Sequence, residues 1–230
     1  FLVKTVFLIN LMLSFVLILI AIINYDTNII ILLILLSLII SMPLLWLVIK
    51  LPEQNSRVNF LKMIHSINIK QKKLIGVEIG VNEGNYSEKI YNFFSDKYDF
   101  EYTLIDPWEI NEDFKGYGKE FLDSAYKKVL KKFGNKKNVT IMREPSNTAC
   151  NKFEDESLDF VYVDGNHDYK FAKEDLDIWF KKLKTNGVLF GNDYARPYGV
   201  HKAVSEFSFE NKLVAKFSEN DYKDFAFIKS

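Results

Sequence analysis

From residue 74 onward, short apolar runs alternate with longer stretches in which apolar residues recur every three or four positions. Residues 74–79, 100–105, 139–142 and 158–163 are rich in β-branched and aromatic side chains, as strands covered on both faces should be. Between and after them come helical stripes. Tyr86, Ile90, Phe93 and Phe94 form one, and Phe121, Leu122, Ala125, Tyr126, Val129, Leu130 and Phe133 form another, stopped by Gly134-Asn135. Leu176, Trp179, Phe180 and Leu183 mark a third, and Val200, Ala203, Val204 and Phe207 a fourth. Gly187 introduces a fifth strand at 188–190, and two short strands follow at 213–217 and 225–228. The polar loop between those last two is too short for a crossover, so they should pair antiparallel. The alternation predicts an α/β fold with a doubly wound, mainly parallel sheet.

The first 50 residues follow a different pattern. Residues 5–25 and 29–49 carry no charge, and the short polar turn Tyr25-Asp26-Thr27-Asn28 separates them. As helices each would extend about 30 Å, the thickness of a bilayer's hydrocarbon core. The expectation is a transmembrane hairpin over 1–50, a juxtamembrane linker over 51–73 with a short helix at 58–67, and an enzyme domain over 74–230. Lys4 precedes the first span, and Lys50, Arg57, Lys62, Lys70, Lys72 and Lys73 follow the second. Cations on those flanks predict a membrane protein whose catalytic domain faces the cytoplasm. The chain begins at Phe1 rather than methionine, which leaves upstream residues open.

Lysine plus arginine and aspartate plus glutamate number 30 each among the 230 residues. A balanced chain without a basic block does not predict a nucleic-acid partner. The single cysteine, Cys150, excludes an internal disulfide and a cysteine-rich zinc site, and fits a reducing compartment.

The candidate chemistry sits at strand ends, where ligands bind in open α/β sheets. The first strand runs into Glu78-Ile79-Gly80-Val81-Asn82-Glu83-Gly84, whose glycines allow a close backbone approach to a ligand. Their spacing differs from the dinucleotide G-x-G-x-x-G pattern. The second ends in Asp106-Pro107-Trp108, where the acid suits a ribose diol or caps a turn before proline. The fourth stops at Asp164-Gly165-Asn166-His167 and the fifth at Gly191-Asn192-Asp193-Tyr194. Asp164, Asn192 and Asp193 could supply oxygen ligands to Mg²⁺; alternatively Asp193 caps a turn and Asp164 bonds to the backbone. His167 shares its loop with Asp164 and is a candidate general base, whereas His65 and His201 read as structural.

In order and spacing these motifs resemble class I S-adenosylmethionine-dependent methyltransferases over about residues 74–229, and within them the branch acting on small molecules and sugar hydroxyls. The resemblance implies a seven-stranded sheet with a reversed last strand and a cofactor site at Glu78, Gly80, Asn82 and Gly84. It further implies that Asp106 holds the ribose and Ser146 lies near the adenine. In the sugar-modifying relatives an aspartate at the Asp164 position and an acidic pair at Asn192-Asp193 bind Mg²⁺, and His167 matches the base. Asn192 departs from that pair, although an amide oxygen can still ligate a hard cation. Trp108, Phe114 and Tyr117 are candidates for a substrate lid, or pack their own loop down. The implied reaction is methyl transfer to a small-molecule or sugar hydroxyl; the membrane hairpin adds glycans and glycolipids as acceptor classes. The alternatives are an NAD-type nucleotide-binding enzyme and a non-catalytic membrane-tethered scaffold. Neither the acceptor nor the oligomeric state is legible in the sequence.

Overall fold

The computed structural model describes residues 58–109, 118–195, 199–218 and 223–230. Residues 58–68 are helical (α1). Then follow β1 (Lys73–Ile79), α2 (Asn85–Phe94), β2 (Asp99–Ile105), α3 (Lys119–Phe133) and β3 (Val139–Met142). The short α4 (Ser146–Ala149) runs into a 3₁₀ turn (Cys150–Lys152). β4 (Leu158–Val163), α5 (Tyr169–Lys182), β5 (Leu183–Gly191), α6 (Gly199–Glu210), β6 (Lys216–Phe217) and β7 (Phe225–Ile228) complete the order.

The strands form one sheet in the order β3-β2-β1-β4-β5-β7-β6. β1 to β5 pair in parallel, and β7 is antiparallel to both β5 and β6. Strand alternation divides the core between the two faces. Tyr102, Leu104, Phe160, Tyr162, Val188 and Phe190 point to one face, with Phe60, Leu61 and Ile64 of α1, Phe94 of α2 and Val129 of α3. Val77, Ile79, Ile105, Val161, Val163 and Leu189 point to the other, with Ala149, Leu176 and Trp179 of α4 and α5, and Phe207 of α6. All six residues of β4 are buried, because helices cover both of its sides.

Two boundaries differ from expectation. Leu183 completes the helical stripe by spacing, yet it is the extended first residue of β5 and pairs with Leu158. A residue one helical turn beyond Trp179 and Phe180 and a residue opening a buried strand face the same core, so periodicity alone cannot separate the two. β6 is also shorter than the apolar run 213–217, keeping only Lys216 and Phe217.

The fold class needs a larger correction. Among the described residues no helix is long and apolar enough to cross a membrane. The longer helices pair an apolar stripe with a polar face, as in α3, where Leu122, Ala125, Val129 and Phe133 are buried beside exposed lysines. The hairpin expected over 1–50 rested on two charge-free, apolar stretches of spanning length and lies outside the described residues. The described architecture is a doubly wound α/β domain with a mixed seven-stranded sheet and no transmembrane element.

Candidate active site

The strand order reverses between β1 and β4, and the loops leaving the carboxyl ends of β1, β2, β3 and β4 open a crevice there. The sheet ladder extends into these loops. The Gly80 amide donates to Ile105 O at 2.9 Å, the Asp164 amide to Ile79 O at 2.8 Å and the Asp106 amide to Met142 O at 3.2 Å. Gly80 has φ +82°, and a Cβ on it would stand 1.9 Å from the Asp164 carbonyl oxygen. Only glycine lets the loop after β1 pass this close to the loop after β4.

Asp106 ties two loops together. Its Oδ2 accepts from the Asn82 amide at 2.9 Å and its Oδ1 from the Trp108 amide at 2.7 Å. The Trp108 indole returns a bond to Asn82 O at 2.8 Å. Burial raises the Asp106 pKa, against the lowering effect of these backbone bonds. Trp108 is 2 % exposed and packs on Tyr126, so it holds the loop down instead of forming a lid. Phe114 and Tyr117 lie outside the described residues.

At the ends of β4 and β5 three titratable side chains converge. His167 Nε2 lies 2.9 Å from Asp193 Oδ2 and 3.8 Å from Asp164 Oδ1. Asp164 Oδ2 accepts from the Tyr162 hydroxyl at 3.0 Å. One donor atom each from Asp164, His167 and Asp193 falls within 4.8 Å of the others. The Asp164 carboxylate, followed by that of Asp193, pushes the His167 pKa up to about 10, although burial works in the opposite direction. Asn192 adds a buried Oδ1 that has no hydrogen-bond partner among the described residues. Gly199 lets α6 close on this loop, since a Cβ there would meet the His167 carbonyl oxygen at 2.2 Å.

The crevice is a cavity of about 380 Å³, within the range of small-molecule and cofactor sites. Gly80, Asn82, Asp106, Ser146, Asp164 and His167 are all on its wall. Asn192 lines a small adjoining pocket with Asp164 and His167. Asp193 lines neither space and reaches the site through His167, and two further sequence candidates are not brought to the cavity. Gly84, at φ +71°, starts α2 against Val129 and Phe133 of α3. Glu78 is 1 % exposed on the opposite face of the sheet, where its Oε2 accepts from the Tyr102 hydroxyl. Burial pushes its pKa up to about 8. The structure adds Asp175, on the cavity wall and 4 % exposed. Its one signal in the sequence is an acid on the buried stripe of α5, beside Ala172, Leu176 and Trp179.

A family model described as a methyltransferase domain matches residues 77–194. Among solved structures, the O-methyltransferase NovP superposes with a TM-score of 0.58 at 15 % identity, covering 76 % of this chain and 80 % of that one. The O-methyltransferase TomG from Streptomyces achromogenes, solved with S-adenosylmethionine, gives 0.52 at 14 % identity over 75 % and 80 % of the two chains. A Corynebacterium glutamicum protein gives 0.54 at 13 % identity over 78 % and 82 %. At these identities the likeness establishes the fold. The uncharacterized protein y4gI of Sinorhizobium fredii is 31 % identical over 98 residues, which are 41 % of this chain and 10 % of that protein. The chain thus spans about a tenth of the length of the curated relative it matches.

Proposed function

Because the chain belongs to the methyltransferase-domain family matched over residues 77–194, we propose that it transfers the methyl group of S-adenosylmethionine to a hydroxyl of a small molecule. One observation carries this reading. A single cavity at the sheet's switch point has a glycine and acid loop pair at one end and a carboxylate–imidazole cluster at the other. The acceptor class follows the printed names of NovP and TomG, both O-methyltransferases.

The residues present fit the cofactor. Gly80 leaves the cavity wall free of a side chain where the loops after β1 and β4 meet. Asp106 accepts from the backbone of Asn82, Trp108 and Val81, which leaves one of its four lone pairs to accept from a ribose hydroxyl. Ser146 stands at the far side of the cavity, after β3, where an adenine would rest.

The acceptor oxygen would attack the sulfonium methyl in line, forming an O–C bond as the S–C bond breaks and returning the electron pair to sulfur. The hydroxyl proton must leave, and His167 is placed to take it. At about 10, its pKa keeps the imidazole charged at neutral pH while both carboxylates face it. His167 therefore accepts a proton only when Asp164 and Asp193 are engaged elsewhere. These two carboxylates, with the unpartnered Asn192 Oδ1 beside them, fit a divalent cation. Such a cation, when bound, lowers the pKa of an acceptor hydroxyl.

Calorimetry with S-adenosylhomocysteine and NAD, followed by labelled methyl transfer to a panel of hydroxylated small molecules with and without EDTA, tests the reading. Binding of S-adenosylhomocysteine alone is expected, with turnover lost in EDTA and restored by Mg²⁺. His167→Ala should lower turnover by roughly 10²–10⁴-fold at unchanged cofactor affinity. Binding of NAD instead, or unaltered turnover in the variant, would overturn it.

A further inference from the structure

We infer that Asp175, positioned by Ser146, is the group that selects the purine base of the cofactor, donating a hydrogen bond to an acceptor nitrogen on the ring edge. The inference rests on the S-adenosylmethionine reading above. Asp175 comes from the second turn of α5 and reaches the cavity wall beside Ser146, Asn147 and Gly165. Its Oδ1 accepts from the Ser146 hydroxyl at 2.5 Å, and its Oδ2 lies 3.4 Å from where a Cβ on Gly165 would stand. Oδ2 therefore lies beside Gly165, and both residues line the cavity. Ser146 is the one hydrogen-bond partner of this carboxyl among the described residues, and no lysine or arginine is paired with it there.

A 4 %-exposed carboxylate lacking a cation partner is costly, whereas the neutral acid is not. Burial pushes the Asp175 pKa up to about 7, with Ser146 opposing and Glu174 adding to the rise. The titratable groups around it are Glu174 on its own helix, Cys150 from the 3₁₀ turn, and Asp164 and His167 across the cavity. None supplies a stabilising ion pair. With Oδ1 accepting from Ser146, the proton belongs on Oδ2, which makes that atom a donor beside Gly165 on the cavity wall. Adenine offers an unprotonated N1 to such a donor. Hypoxanthine carries hydrogen on N1, which pairs best with the ionised carboxylate instead.

The two bases should therefore show opposite pH dependence. With wild type, S-adenosylhomocysteine affinity measured by calorimetry should be flat below pH 7 and fall by about tenfold between pH 7 and 9. S-inosylhomocysteine affinity should rise over the same interval. Asp175→Asn keeps a donor that does not titrate, so S-adenosylhomocysteine should bind it independently of pH in this window. Asp175→Leu should weaken binding by roughly tenfold, and Ser146→Ala should shift the midpoint of the wild-type profile. Identical pH profiles for wild type and Asp175→Asn, or parallel profiles for the two ligands, would overturn the assignment while leaving the methyltransferase reading intact. No binding of S-adenosylhomocysteine to wild type at any pH would overturn both.

Discussion

At the β1–β2 end of the cavity, Gly80, Asn82, Asp106 and Trp108 are fixed by backbone hydrogen bonds and one indole bond. At the β4–β5 end, the charges of Asp164, His167 and Asp193 face one another, and the Tyr162 hydroxyl donates to Asp164. The first arrangement is steric and keeps its shape without a ligand. The second changes whenever a proton, a cation or a substrate oxygen arrives. A cofactor whose atoms must be aligned to a fraction of an ångström is served by the first kind of end. An acceptor that gives up a proton is served by the second.

The steric end should break most completely at Gly80. Gly80→Val places a branched side chain at φ +82°, against the Asp164 carbonyl oxygen, where no flexible neighbour can yield. Unfolding and calorimetry should show a loss on the order of 3 kcal/mol in stability and at least ~100-fold in S-adenosylhomocysteine affinity. Near-wild-type binding would mean that the loop after β1 can move aside, and the contrast between the two ends would disappear.

How much of this was readable beforehand depends on which force sets each residue. The five parallel strands, the closing hairpin and the strand-end motifs follow from hydrophobic patterning. So does the meeting of Asp164, His167 and Asp193, because β4 and β5 are sheet neighbours. Glu78 lies away from the cavity for a definite reason. It is adjacent in sequence to the cofactor loop, but period two sends it to the same face as Gly76 and Leu74. Both faces of β1 are buried, so no polar alternation exposed the difference. Asp175 was hidden inside a helical stripe, since its partner Ser146 is 29 residues away. The elevated pKa of His167 could not be read at all, because it depends on distances of 2.9 and 3.8 Å rather than on composition.

The electrostatic end should respond to charge where the other end does not. Asp193→Asn removes the nearer carboxylate, and the His167 pKa, followed by NMR titration, should drop from about 10 by at least one unit. Asp164 remains and keeps it above the free-histidine value. The sign for stability follows from the raised pKa. The ion pair's contribution is fully present below pH 6.5 and disappears as pH climbs through about 10. The variant should therefore be less stable than wild type at pH 6 and converge with it above pH 10. Turnover should fall by about tenfold while S-adenosylhomocysteine affinity holds. An unmoved His167 titration would show that Asp193 does not set the charge of this end.

Glu78 offers the smallest effect on the site and the sharpest control on the comparison. It stands two residues from Gly80 yet faces away from the cavity, sealed among aromatic side chains and bonded to Tyr102. Its folded pKa of about 8 exceeds the unfolded value of 4.5, so the folded state binds the extra proton between these limits. Stability from this group is greatest below pH 4.5, declines as pH rises to about 8 and is level above that. Glu78→Gln keeps an acceptor for the Tyr102 hydroxyl and removes the titration. Relative to wild type it should gain stability with rising pH, on the order of 5 kcal/mol by pH 9, while S-adenosylhomocysteine affinity stays within about twofold. A large loss of affinity without a change in stability would put this carboxyl on the cofactor after all. The steric end would then contain a charge-dependent contact like those at the other end.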